Sequence, residues 1–219
     1  MPTPLRITPL GHSCVLLEAS MGADTVKVLL DPGSLTPELT PISGLDAILI
    51  THAHADHIDP SQVRRLRQGG RVPVYADAET VAMLVDAGEP DVRIVEAGTL
   101  AIGGMTVEVT LSAHEEIYPG LPLPSNHCYH VSKSVFAPGD SFAVPDFKVD
   151  TLLVPLGAPW LKLSQTIDYL RSVAPRIAIP VHGGGLAADH RKMHLALLCK
   201  FAPAGTTVIE SEIGRTIKV

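Results

Sequence analysis

Long apolar stretches are missing. No hydrophobic run in the 219 residues approaches the roughly 20 residues that cross a bilayer, so no membrane span is expected. The opening Met1-Pro2-Thr3-Pro4-Leu5-Arg6 carries no apolar segment of the signal-peptide kind. Cysteine is scarce. Cys14, Cys128 and Cys199 are odd in number and far apart, which excludes a disulfide framework and a Cys-x-x-Cys metal spacing. A reducing, cytoplasmic setting is the expectation. Charge is sparse too, at 18% of residues, which leaves room for apolar surface covered in a homo-oligomer. Lys and Arg number 17 against 23 Asp and Glu, a net charge of −6. That balance disfavours nucleic-acid binding, which needs an excess of cations on one face. A small-molecule substrate is the partner this leaves. No run of like charges forms a tail, and no segment is of low complexity.

Hydrophobic residues, by contrast, make up 46%, enough for a large core, and the length suits a single domain over residues 1–219. Short apolar runs recur between Gly, Pro and Asp. Leu5–Leu10, Cys14–Glu18 and Val26–Leu30 read as strands, the first two joined at Gly11-His12. Ala47–Ile50, Val72–Tyr75, Arg93–Val95, Leu100–Ile102 and Met105–Leu111 follow, with a Gly103-Gly104 turn between the last two. Val131–Ala137 reads as one strand region, and Thr151–Val154, Arg176–Pro180, Val208–Glu210 and Thr216–Val219 as later strands. Helices are expected at Ser61–Gln68, capped by Ser61, and at Ala78–Ala87, Leu163–Val173 and Ala187–Phe201. The stretch from Gly98 to Val144 is rich in turns and lacks a helical pattern, so a substrate-facing insertion is expected there. Two mixed sheets between outer helices, an α/β fold in four layers (αββα), would bury these faces.

The chemistry concentrates in Thr51-His52-Ala53-His54-Ala55-Asp56-His57-Ile58, directly after an apolar strand. Alternation puts His52 and His54 on one side of an extended segment, where they can share a cation. A turn would let Asp56 and His57 face a second. Imidazole and carboxylate are suitable donors for Zn²⁺ at roughly 2.0–2.2 Å. The plain alternative, a solvated histidine loop, gives no packing reason for such a run at a strand end.

This run resembles the signature of the metallo-β-lactamase superfamily, and later residues follow its order. Ser112-Ala113-His114 resembles the third histidine, which would complete a first site with His52 and His54. Pro138-Gly139-Asp140-Ser141 resembles the aspartate that bridges both metals. Ile179-Pro180-Val181-His182-Gly183 resembles the last histidine, which would join Asp56 and His57. Leu10-Gly11-His12-Ser13, Leu30-Asp31-Pro32 and Leu153-Val154-Pro155-Leu156-Gly157 are similar to the small branch that includes ascorbate-6-phosphate lactonase-like proteins. One departure stands at Asn126-His127-Cys128-Tyr129-His130, where that branch often has a Gly-Tyr pair and an apolar strand.

The resemblance implies two divalent ions about 3.5–4 Å apart, Zn²⁺ first, with Mn²⁺ or Fe open to the same ligands. They would hold a hydroxide between them and cleave an ester-like bond: a phosphodiester, a lactone or a related acyl group. Asp56 would be both ligand and orienter of that hydroxide. The alternative is a non-hydrolytic metal protein, an iron redox protein or a metal-bound sensor or scaffold. No serine elbow is present, since Gly139-Asp140-Ser141 lacks the second glycine. Outside the ligand set, His12, His127, His130 and Trp160 are candidate substrate contacts, each against a plain structural role. For Trp160 a wall of the site competes with a subunit contact. Asp31 is a candidate to orient a ligand histidine. His190 and His194, spaced i, i+4, lack the His-Glu-x-x-His pattern and read as a solvated helix face.

Overall fold

The computed structural model describes residues 5–67, 71–210 and 212–219. Its strands form two seven-stranded mixed sheets. In the first, β1 (Leu5–Gly11), β2 (Cys14–Met21) and β3 (Asp24–Leu30) are antiparallel neighbours. β4 (Ala47–Leu49), β5 (Val74–Ala76) and β6 (Val92–Ile94) then add in parallel. The second sheet starts with the antiparallel β7 (Gly98–Ile102), β8 (Met105–Ala113), β9 (Ser125–Val131) and β10 (Val135–Ala137). β11 (Thr151–Pro155), β12 (Ile177–Val181) and β13 (Thr207–Val208) continue it in parallel. The final β14 (Ile217–Lys218) returns to the first sheet beside β1.

Period-two alternation explains the layers. Leu5, Ile7, Val15, Leu17, Val26, Val28 and Leu30 point inward and meet Val107, Val109, Tyr129, Val131, Leu153 and Ile179 of the facing sheet. The outer face of the first sheet packs Leu29, Ile48 and Ile50 on α1 (Pro60–Leu66) and α2 (Ala78–Asp86). The outer face of the second packs Phe136, Leu152 and Val154 on α3 (Leu163–Val173) and α4 (Ala188–Phe201). The result is the expected αββα sandwich. Among the described residues no helix is long and apolar enough to cross a membrane.

Three local expectations need correction. Val131–Ala137 is not one strand: Ser132 and Lys133, at φ 51° and 52°, turn the chain between β9 and β10. The turn has no Gly or Asn to announce it. No strand was expected at residues 125–130, which form most of β9, although Gly98 to Val144 does lack a helix. β9 was hidden because its Asn126, His127 and His130 are polar yet buried, which erases the apolar–polar alternation. The α1 cap is Asp59, which accepts from the Ser61 amide, with Pro60 as first helical residue. Gln68, expected to end that helix, lies outside the described residues.

Strand direction positions the site. The pairings make β1, β3 and β4 run the same way, and likewise β8, β10, β11 and β12. The segments after all of them meet at one edge of the sandwich.

Candidate metal centre

After β4 the chain turns at once: the amides of His57 and Ile58 both donate to the His54 carbonyl, at 2.9 and 3.0 Å. This turn separates His52 and His54 from Asp56 and His57. It fits only because residue 33 is glycine. A Cβ there would stand 1.9 Å from the Asp56 carbonyl oxygen. Two groups of side chains result, each with its ligand atoms within 4.8 Å of one another: His52, His54, His114 and Asp140, and His12, Asp56, His57 and His182.

Asp140, after β10, spans both. Its Oδ2 faces Nε2 of His114 at 3.5 Å and of His52 at 3.9 Å. Its Oδ1 faces Nε2 of His57 at 3.1 Å and of His182 at 3.2 Å. Asp56 Oδ2 lies 3.4 Å from His182 Nε2 and 3.9 Å from His57 Nε2. Donors placed tetrahedrally at about 2.1 Å from one ion stand about 3.4 Å apart, so these spacings suit ion cages.

The other ring nitrogens are anchored. His57 Nδ1 donates to Asp31 Oδ2 at 2.8 Å, while the same carboxylate takes the Thr51 amide and hydroxyl, each at 2.8 Å. With its hydrogen given to Asp31, the Thr51 hydroxyl accepts from His52 Nδ1 at 3.0 Å. His114 Nδ1 donates to the Glu115 carbonyl at 2.6 Å and His182 Nδ1 to the Gly157 carbonyl at 2.7 Å. Each neutral ring therefore carries its proton on Nδ1 and presents a bare Nε2. Those Nε2 atoms of His52, His57, His114 and His182, with Asp140 Oδ1, are buried without a hydrogen-bond partner. A donor set of bare imidazole and carboxylate atoms fits divalent metal ions.

A family model described as Beta-lactamase superfamily domain matches residues 6–182. The chain belongs to the metallo-β-lactamase superfamily. It is similar to Protein Rv0786c of Mycobacterium tuberculosis, 36% identical over 214 residues, covering 95% of this chain and 98% of that protein. It also resembles the UPF0173 metal-dependent hydrolase Ta0764 of Thermoplasma acidophilum, at 25% over 236 residues, covering 98% and 99%. A solved structure from Parabacteroides distasonis, described as a metal-dependent hydrolase, superimposes with a TM-score of 0.71 at 24% identity, covering 95% of this chain and 93% of that one.

Several residues hold this superfamily site in shape. Trp160, buried rather than on the surface, donates Nε1–H to Asp140 Oδ2 at 2.8 Å and stands edge-on to His114 and His182. Asn126 was missed by the sequence reading. Its Oδ1 accepts from the Asp140 amide at 3.0 Å and its Nδ2 donates to the Pro138 carbonyl at 2.8 Å. Its signal was its place in the departure at residues 126–130, with no role assigned to it there. His127 and His130 are not brought to the metal groups. The His127 ring lies near Tyr129, and His130 stacks on Phe147 at 4.0 Å and meets Glu108 at 3.3 Å. His190 is exposed on α4, and His194 donates to the Leu156 carbonyl.

Without metal, the charges at this superfamily site hold one another. Burial opposes the charged form of His182, but bonds to Asp140 and Asp56 outweigh it and raise the imidazole to about 9. His57 is raised as well, against its burial, by Asp140 and Asp31. Asp56 and Asp140 are held far below the usual carboxylate range despite burial. His12 and His182 act on the first, and His57, His114 and His182 on the second. Burial and the neighbouring rings push His52 and His54 down.

Proposed function

We propose that this chain is a metal-dependent hydrolase whose single domain, residues 1–219, holds two divalent ions and cleaves an ester-like bond, a lactone or related acyl group ahead of a phosphodiester. One observation carries the reading: four histidine Nε2 atoms and Asp140 Oδ1 are buried, bare and unpartnered, while the opposite ring nitrogens are tied down. With the rings neutral, leaving such atoms unpaired costs about 1–3 kcal/mol each; without ions His57 and His182 offset part of that by holding a proton against Asp140, and ligation would remove it. His52, His54, His114 and Asp140 would hold one ion, and Asp56, His57, His182 and the shared Asp140 the other. Held by these residues, two such ions would supply a water acidified to a pKa of about 7 and a Lewis acid for the substrate oxygen.

The chain's own groups complete the chemistry. Asp56 stays ionised and partly exposed, so it has acceptor capacity left to orient the attacking water. Trp160, which meets the Phe142 ring edge-on, donates to Asp140 Oδ2 and covers it. Neither the two buried cysteines nor Ser141, beside Asp140, is set up as a nucleophile. The thiols of Cys14 and Cys128 are buried and raised, and the Ser141 hydroxyl is spent on the Pro138 carbonyl at 2.9 Å.

The preference for an acyl bond rests on the ligand-bearing loops. Residues 51–59, 114–124, 138–147 and 182–187 contain no Lys or Arg; Lys148 and Arg191 follow the last two, and Lys162 follows Trp160. The loop after His114 instead offers Glu115 and Glu116 with exposed Ile117, Tyr118 and Leu121. Such loops suit an uncharged acyl group. The lactonase-like motifs at 10–13, 30–32 and 153–157 agree in bond type, though not in a phosphate-bearing substrate.

The test is metal content per chain after gel filtration, followed by a panel of lactones, aryl esters, phosphodiesters and β-lactams. About two ions, Zn²⁺ foremost, and turnover of acyl substrates are expected. Saturation near one ion in excess metal would overturn the dinuclear reading. Bound iron with no hydrolysis on the panel would favour the redox alternative.

A further inference from the structure

His12 sits beside the second ligand group, and its ring nitrogen lies as near Asp56 as a ligand would. At 3.1 Å, its Nε2 approaches Asp56 Oδ2, and its ring centroid is 4.0 Å from that of His182. Counting ligand atoms alone places it in the group with Asp56, His57 and His182.

Hydrogen-bond direction decides otherwise. The Gly184 amide donates to His12 Nδ1 at 3.1 Å. A backbone amide can only donate, so Nδ1 must carry the lone pair. A neutral imidazole has one N–H, which must then sit on Nε2 and point at the Asp56 carboxylate. This is the reverse of His52, His57, His114 and His182, whose Nδ1 atoms donate and whose Nε2 atoms are bare. The backbone builds the clamp. His12 adopts φ 49° in the β1–β2 turn, and its carbonyl accepts from the His182 amide at 3.0 Å. A Cβ at residue 184 would stand 3.0 Å from His12 Nδ1, so glycine there gives the ring room to reach the amide.

We infer that His12 is a positioning residue, not a ligand: it donates Nε2–H to Asp56 Oδ2 and fixes the direction in which that carboxylate faces His57 and His182. A carboxylate oxygen has a lone pair left after accepting this bond, so Oδ2 remains a donor to an ion. The β1–β2 hairpin thereby reads the position of the β12–α4 turn through Gly184 and passes it to Asp56. The need to hold Asp56 rests on the dinuclear reading above; the direction of the hydrogen bond does not.

The experiment uses the full chain labelled with ¹⁵N-histidine, in chelator and with Zn²⁺. Long-range ¹H–¹⁵N spectra should show His12 with a bare Nδ1 and a protonated Nε2 in both states. The Nε2 signals of His57 and His182 should move on adding Zn²⁺. A His12 protonated on Nδ1, or one whose Nε2 takes a metal-bound shift, would overturn the inference. Chelator competition on His12→Phe and His12→Gln gives the second arm. His12→Phe should weaken one of the two ions by about 10–100-fold, the usual effect of losing a group that orients a ligand. His12→Gln, with an N–H donor of similar reach, should recover most of it. Equal losses in both, or none in His12→Phe, would count against the role. If the wild-type chain binds only one ion, the dinuclear reading fails, and the labelled spectrum still decides His12.

Discussion

Asp56 and Asp140 are both carboxylates among histidines, yet their surroundings ask different things of them. Asp140 has one oxygen turned to each histidine group and is buried, with Trp160 on its Oδ2. Asp140→Ala should therefore release both ions and abolish turnover, measured by metal content and activity on the same sample. His190→Ala, an exposed change on α4, should alter neither. Equal metal loss in the two variants would mean the site lies elsewhere. Asp56 faces outward in part. Asp56→Asn keeps one oxygen donor but loses the charge and an acceptor. Its turnover should fall 10²–10⁴-fold, the range for a lost positioned acid–base group, and fall much further than its metal occupancy. Unchanged turnover per bound metal pair would show that Asp56 is ligand only. At this scale the sequence was legible where chemistry is dense, at 52–57. The anchors were harder to see. Asp31 was read as a candidate to orient a ligand histidine, and it takes His57 Nδ1; Thr51 and Asn126 act through hydrogen bonds to residues 20 and 14 positions away, and no spacing rule announces those contacts.

Elements carry the site by their ends. Gly33 lies in the loop after β3, and its α-carbon is pressed against the Asp56–His57 peptide. Gly33→Ala should push that turn aside while leaving every proposed ligand side chain in the sequence. The expected result is a protein that keeps its two sheets by circular dichroism but loses the Asp56 group's ion, read by metal analysis. Retention of both ions would show that the loop can yield. Apolar strands such as β4, β11 and β12 were readable because they are buried on both faces and flanked by turns. β9 was not, although it lies mid-sheet between β8 and β10. Asn126 is held there by Ser112 and Pro138, and His130 Nδ1 meets Glu108, so these positions could be buried without hydrophobic side chains.

Across the whole molecule, the metal-free and metal-loaded forms should respond to pH in different ways. In the metal-free chain His182 is raised to about 9 from 6.5. Its bound proton therefore adds stability that is full below about 6.5 and lost as pH rises through about 9. The depressed Asp56 and Asp140 contribute above the ordinary carboxylate range and lose that contribution as pH falls. The melting temperature in chelator should then decline from pH 6.5 to 9.5, while the loaded protein, with ions in place of that proton, should not. A flat or rising curve in chelator would refute this. Each candidate ligand group also draws on both sheets: His52 and His54 with His114 and Asp140, and Asp56 and His57 with His182. The ions would thus be rivets through two plates. An ion at 1,000 times its Kd contributes about 4 kcal/mol, so a pair should raise the melting temperature by on the order of 10 °C or more. Pulling the rivets would free one edge of the sandwich to gape, and hydrogen exchange should quicken first at that edge, in residues 51–58 and 138–141, ahead of the clamped interior of β2 and β3.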